Sequence, residues 1–279
     1  MKFTTPGGLA LSYQRFGTGP VLVVHPGGPG FSTTYLGDLA GLGDRHTLVI
    51  LSPRGTGESD RPADRGAYHL DDYVSDLEAQ RDHLGLEQIQ LLGYSHGGVV
   101  AQAYALANPE RVSRLVLAVT LPRFGAEQEA AAKAGREKRS GNDWYPDAIA
   151  ASEEEMGSAT DEQVRDNAMR GMPFYFSTFG AAEAAYVETF RSDLINGDAQ
   201  RAFSAELPTL DLRSGLARVT APTLVITGED DFICGPVCAR EISAAIPGSR
   251  EVIVRDAGHM VVFEQRQTFH DEIANFLDS

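Results

Sequence analysis

The chain has 279 residues, with 24 Lys plus Arg against 39 Asp plus Glu and a formal net charge of −15. Apolar residues make up 42% and charged residues 23%, enough to bury a sizeable core and to exclude wholesale disorder. A chain this acidic, with no dense Lys/Arg run, is not expected to bind nucleic acid or an anionic membrane surface.

The stretch from Met1 to Gly17 has no uninterrupted apolar segment of the kind a signal peptide needs. No stretch anywhere approaches the ~18 apolar residues of a membrane span, so a cytoplasmic protein is expected. Short β-branched runs predict strands at Leu11–Phe16, Val21–Val24, Thr47–Leu51, Ile89–Leu92 and Leu115–Val119. Two amphipathic segments, Asp71–Leu84 and His96–Ala107, have the length of crossover helices. Strands that are apolar on both faces and separated by helices predict an α/β chain with a mostly parallel sheet.

After Leu121-Pro122 the pattern changes, and residues 121–215 contain no convincing strand. Helices are predicted at Ala126–Arg139, Asp161–Met169 and Ala181–Phe190. This stretch carries 17 acidic and 10 basic side chains, so it holds about half of the net charge. Alternation then resumes with a strand at Thr223–Thr227, a helix at Val237–Ala245, a strand at Glu251–Val254 and a helix at Phe263–Leu277. The expected organisation is a core of residues 1–120 and 216–279, with 121–215 inserted as a packed helical cap. Cys234 and Cys238, the only cysteines, match neither a disulfide framework nor paired zinc knuckles, and reduced thiols are expected.

The chemistry concentrates at strand ends. Gly93-Tyr94-Ser95-His96-Gly97 follows the strand at Ile89–Leu92 and opens a helix, which is the context of a G-x-S-x-G nucleophile elbow with Ser95 as nucleophile. A serine hydroxyl needs a base, and the base needs a carboxylate to hold its tautomer. Of seven histidines, His259 lies in a loop between the last strand and the last helix, where it can reach over the sheet edge. Gly228-Glu229-Asp230-Asp231 follows the preceding strand and offers Asp231 or Asp230 as the acid, in the chain order Ser, Asp, His. The backbone N–H of His96 and one from His25-Pro26-Gly27-Gly28-Pro29-Gly30, with Gly28 as candidate, would form an oxyanion hole.

Together these residues resemble the α/β-hydrolase superfamily, and within it the proline iminopeptidase-like branch of serine peptidases. Gly27-Gly28-Pro29-Gly30 resembles the HGGPG signature, and Ser52 to Ser59 resembles a D-x-R-G-x-G-x-S turn. Gln102 to Ala105 through Pro109 to Val112 resembles the helix behind the nucleophile, and Gly258-His259-Met260 resembles the histidine loop. Gly228 to Asp231 resembles the G-x-x-D acid turn, which makes Asp231 the implied triad acid. Three departures stand out: Pro26 replaces the signature His, with a His one place earlier at His25; Pro53 stands where the turn usually begins with Asp-x; and Phe232 directly follows the acid, where members of the branch can carry an acidic side chain.

The resemblance implies an α/β-hydrolase fold and release of an N-terminal proline from short peptides, without a metal. Acidic side chains would then hold the substrate amine, with Glu183, Glu188, Asp198 and Glu206 as candidates in the cap. Gly27, Tyr94, Trp144, Phe232 and Glu206 are the expected substrate-binding positions. The alternative with the same mechanism is a carboxylesterase or lactonase, and the aromatic stretch Pro173-Phe174-Tyr175-Phe176 would suit either substrate or simply fill the cap core. A non-enzymatic ligand receptor on this fold has less support, and a lyase or cofactor-free oxygenase could use the same triad. No phosphate-cradling loop and no His/Asp/Glu cluster with metal-ligand spacing is present in the sequence, so no cofactor is expected.

Overall fold

The computed structural model describes residues 1–279. Eight strands, β1 (Lys2–Thr4), β2 (Ala10–Gly17), β3 (Val21–His25), β4 (Thr47–Ser52), β5 (Ile89–Tyr94), β6 (Val112–Ala118), β7 (Thr223–Gly228) and β8 (Arg250–Val254), form one sheet. Their order is β1-β2-β4-β3-β5-β6-β7-β8, antiparallel at β1/β2 and β2/β4 and parallel elsewhere. The chain moves from β3 outward to β4, then returns across β3 to β5. The carboxyl ends of β3 and β5 therefore flank a reversal of strand order, which is where open α/β sheets form a crevice.

Both faces of the sheet are buried, as continuous apolar strands require. Leu91 of β5 packs with Val23, Leu115 and Val225, and with Leu77 of α1 (Leu70–His83) and Tyr104 of α2 (His96–Ala107). Its neighbour Leu92 faces the other way, toward Val24, Val116 and Ile226, with Phe269 and Ile273 covering them from the C-terminal helix. Each such fully buried side chain contributes about 1.5–3 kcal/mol. The turn after β4 is fixed by Arg54, whose guanidinium donates to both carboxylate oxygens of Asp76 on α1 at 2.7 and 2.8 Å. Removing one partner of a buried pair of this kind typically costs about 3–5 kcal/mol, because the other charge is left without compensation.

Between β6 and β7 lie α3 (Ala126–Glu137), α4 (Tyr145–Glu153), α5 (Asp161–Gly171), α6 (Ala181–Glu188), α7 (Gly197–Glu206) and α8 (Arg213–Leu216). Arg123 and Asp211 form an isolated antiparallel bridge, and the Leu212 N–H donates to the Pro122 carbonyl at 3.0 Å, so this segment leaves and re-enters the sheet layer at one place. Val164, Met169, Met172, Val187 and Phe190 from the segment join the same apolar cluster as Leu22 and Ile226 of the sheet.

Several elements differ from expectation. Strand β1 is three residues long and escapes the periodic pattern, while α4, α7 and α8 fall in stretches to which the sequence assigns no element. Asn196 carries the missed signal for α7, since its side-chain oxygen accepts from the Asp198 N–H at 3.0 Å as an N-cap. Val119, expected to end a strand, lies past β6 at φ 45°, an unusual conformation for a β-branched residue. The predicted C-terminal helix is two, α10 (Val261–Glu264) and α11 (Arg266–Leu277), separated by Gln265 at φ −124°, ψ 52°. Helix α9 (Pro236–Ala245) begins one residue before its predicted start.

At the end of α10, the Glu264 carboxylate accepts from the Gly258 N–H at 2.7 Å and from the Ser177 N–H at 2.6 Å, tying the β8–α10 loop to the segment that follows α5. Burial pushes the Glu264 carboxyl from 4.5 up to about 7, against the pull of those two amides. Between those values the unfolded chain has released a proton that the folded chain keeps. Stability therefore falls as pH rises through that window. The Glu264→Gln variant lacks this titration. Urea unfolding of both proteins at about pH 5 and about pH 7.5 should show wild-type stability falling relative to the variant as pH rises, and a constant difference would show that Glu264 does not titrate there.

Candidate active site

The carboxyl end of β5 runs directly into Ser95, which sits at φ 54°, ψ −118°, and α2 begins at the next residue. A non-glycine residue held in such a region costs about 1–3 kcal/mol. Two hydrogen bonds hold it there: the Ser95 N–H donates to the Ala118 carbonyl at 2.9 Å, and the Thr120 hydroxyl donates to the Ser95 carbonyl at 2.8 Å. At about 1 kcal/mol net each, they offset much of the strain. Gly97 is required by close approach, because a Cβ there would lie 2.1 Å from the His25 carbonyl oxygen.

His259 lies between Ser95 and Asp231. Its Nε2 is 2.9 Å from Ser95 Oγ, and its Nδ1 is 2.8 Å from Asp231 Oδ2. The second oxygen of Asp231 accepts from the Ile233 and Cys234 N–H groups at 2.9 and 3.0 Å, which fixes the buried carboxylate in its turn. Asp230 turns the other way. Its carboxylate accepts from the Ser177 hydroxyl at 2.8 Å and from the Lys138 ammonium at 3.2 Å, away from the imidazole. The histidine loop is held by the Tyr94 hydroxyl, which donates to the His259 carbonyl, and by the Met260 N–H, which donates to the Tyr175 carbonyl at 3.1 Å.

The loop after β3 reaches the same place. Gly28 is at φ 65°, its N–H has no protein acceptor, and it lines a cavity at Ser95. The neighbouring Gly27 N–H is already committed, donating to the Tyr35 hydroxyl at 2.6 Å. His96 is the first residue of α2, so its N–H has no acceptor within the helix and carries the positive end of the helix dipole. The imidazoles nearby bring no charge. Burial lowers His25 to about 4, opposed by its hydrogen bond to Pro26, and burial followed by the proximity of His25 lowers His96 to about 3.

The cavity measures about 360 Å³, and 16 of its 24 lining residues are hydrophobic. Tyr94 and Phe232 line it as expected, together with Gly28, Ser95, His96 and His259. Gly27 does not line it and sits behind Ser95, where a Cβ would come within 2.5 Å of the serine Cβ. Two expected substrate-binding residues lie elsewhere. Trp144 packs edge-on against Phe174 at 5.3 Å between ring centroids, in a small apolar cluster that also holds Ala148 and Phe232. Glu206 accepts from the Leu70 N–H at 3.2 Å and borders a separate surface cavity with Arg65 and His69.

The other acidic candidates are equally committed. Glu183 accepts from the Gly180 N–H, Glu188 pairs with Arg191, and Asp198 pairs with Arg65 and Arg201. No aspartate or glutamate lines the cavity at all. Among the residues that do, Tyr35, Phe203, Tyr175 and Arg136 were not singled out, although Tyr175 belongs to the aromatic stretch noted in the sequence. Both cysteines are free, and burial raises the Cys234 thiol well above its usual range and the Cys238 thiol to about 12. No three His, Cys, Asp or Glu side chains converge so that they could hold a metal ion, and no helix is long and apolar enough to cross a membrane.

Residues 20–265 match the family described as alpha/beta hydrolase fold. The chain is 28% identical over 287 residues to a proline iminopeptidase of Saccharolobus solfataricus, covering 95% of this chain and 87% of that protein. It is 30% identical over 239 residues to a candidate 2-succinyl-6-hydroxy-2,4-cyclohexadiene-1-carboxylate synthase of Bacillus subtilis, covering 83% and 81%. The crystal structure of a hydrolase from Pseudomonas aeruginosa PA01 matches with a TM-score of 0.76 at 26% identity, covering 100% of this chain and 98% of that one. The chain belongs to the alpha/beta hydrolase fold family and is proline iminopeptidase-like over nearly its whole length.

Proposed function

We propose that the protein is a serine hydrolase that cleaves small, largely apolar carboxylic esters or lactones through an acyl-enzyme. The observation that carries this reading is the hydrogen-bonded series Ser95–His259–Asp231 opening onto an apolar cavity that contains no carboxylate. His259 accepts the proton of Ser95 as its oxygen bonds to the substrate carbonyl carbon, and Asp231 holds the imidazole tautomer and the imidazolium that forms. The Gly28 and His96 amides stabilise the oxyanion, a role in which each donor is worth on the order of 10²–10³ in kcat. His259 then gives the proton to the leaving oxygen as the acyl bond breaks, and the same groups activate water to release the acid.

The second reading is an aminopeptidase for N-terminal proline, supported by the sequence likeness to a proline iminopeptidase across 95% of the chain. It comes first from the sequence alone and second here, because a protonated amine entering this cavity would meet no counter-charge.

Replacing Ser95 with Ala should lower kcat on a para-nitrophenyl ester by on the order of 10⁶ with the fold unchanged. Asp231→Asn should cost roughly 10⁴ in kcat, whereas Asp230→Asn should cost far less. Equal losses at the two aspartates would remove the basis for assigning the orienting role. A panel of proline para-nitroanilide, its N-acetyl form and short acyl para-nitrophenyl esters separates the two substrate readings. Esters should be turned over fastest, with free and acetylated proline anilides alike, while a preference of about ten- to a hundredfold for the free amine would establish the peptidase.

A further inference from the structure

We propose that Arg136 binds a carboxylate on the substrate, so that the preferred ester or lactone carries a negative charge at the end remote from the scissile bond. This rests on the reading of Ser95 as the nucleophile. Arg136 and Ala132 are four residues apart on α3 and share the helix face that lines the cavity. The other cations of that helix end are committed: Lys138 pairs with Asp230, Lys133 with Glu137, and Arg139 donates to the carbonyls of Gly135, Phe176 and Asp230. Arg136 has no such partner. Its guanidinium makes no hydrogen bond and no ion pair with the protein, although the chain has 39 acidic side chains to draw on.

Its Nε is buried without an acceptor, and its Cζ lies 5.8 Å over the ring of Phe232, the residue after Asp231. A buried donor without an acceptor is costly, and native structures rarely leave one without a reason. Here the remaining walls are mostly apolar, with the neutral imidazole of His96 among them and that of His25 behind, so the guanidinium is the one fixed charge facing the cavity. A planar fork of donors in an apolar setting matches a carboxylate through two parallel hydrogen bonds. Chemically, the substrate class is a half-ester of a dicarboxylic acid, an ester of a hydroxy acid, or a lactone that bears an acid.

Two matched pairs test this. Para-nitrophenyl hydrogen adipate against para-nitrophenyl hexanoate places the charge on the acyl side, and para-acetoxybenzoate against its methyl ester places it on the leaving group. The wild type should favour the anionic member of one pair by roughly tenfold or more in kcat/KM, mostly through KM, and the responding pair identifies the side. Arg136→Met and Arg136→Gln should remove that ratio, while Arg136→Lys should retain part of it, having the charge without the fork. A ratio at or below one in both pairs, or a ratio that survives Arg136→Met, overturns the assignment. Turnover of the neutral esters that persists in Ser95→Ala overturns the hydrolase reading instead.

Discussion

Ser95 keeps its left-handed backbone because two other strands and the chain just beyond one of them deliver groups to it. Strand β6 supplies the Ala118 carbonyl, the turn that follows it supplies the Thr120 hydroxyl, and the chain leaving β3 presses so close to Gly97 that no side chain fits. The parallel register of β3, β5 and β6 sets these distances, so the apolar sheet core and the exposed hydroxyl are parts of one construction. Strain of about 1–3 kcal/mol is sustained where surrounding structure over-determines the conformation. What results is an oxygen that points off the sheet edge toward the imidazole, rather than into the helix as an N-cap would.

The elements that were legible in the sequence are those whose cause is local. Apolar runs gave seven of the eight strands, and the elbow could be read because Gly93, Gly97 and Gly98 surround a serine at a strand-to-helix junction. The choice between Asp231 and Asp230 could not come from residue type, since the two are identical neighbours. It is decided by a turn that brings the Ile233 and Cys234 amides to one carboxylate and Lys138 to the other. Trp144 illustrates the limit for aromatic residues, which serve a pocket or a core equally well until packing places them against Phe174. The acidic candidates of the insertion failed for a related reason: caps and ion pairs close at hand use Glu183, Glu188 and Asp198 before any ligand could.

Charge is distributed oppositely at the two scales. The molecule as a whole is acidic at −15, yet the cavity at Ser95 has an arginine and no carboxylate. Long-range attraction over the surface is screened within about 10 Å at ordinary ionic strength, whereas a guanidinium against an aromatic ring in an apolar wall is screened far less. Selection of a ligand is thereby left to the short-range field. His25 and His96 contribute to the same economy, because burial keeps both neutral and lets them pack as aromatic rings against Tyr73 and Phe203.

The bridge between Arg123 and Asp211 makes the intervening helices, topologically, one long loop. Its two ends meet at a fixed point beside β6 and β7, so none of the strand pairing runs through it, and it acts on the sheet only through the apolar residues and the Tyr175 carbonyl that it packs there. Closure entropy rises only slowly with loop length, and exchanging one helical insertion for another leaves the sheet nearly the same closure cost. Arg136 and Tyr175 are carried by the segment between β6 and β7, while Ser95, Asp231 and His259 follow the carboxyl ends of β5, β7 and β8. The arginine of the cavity and the hydrogen-bonded Ser95–His259–Asp231 series therefore come from separate stretches of the chain, and a longer or shorter helical segment would change the first at little closure cost to the sheet.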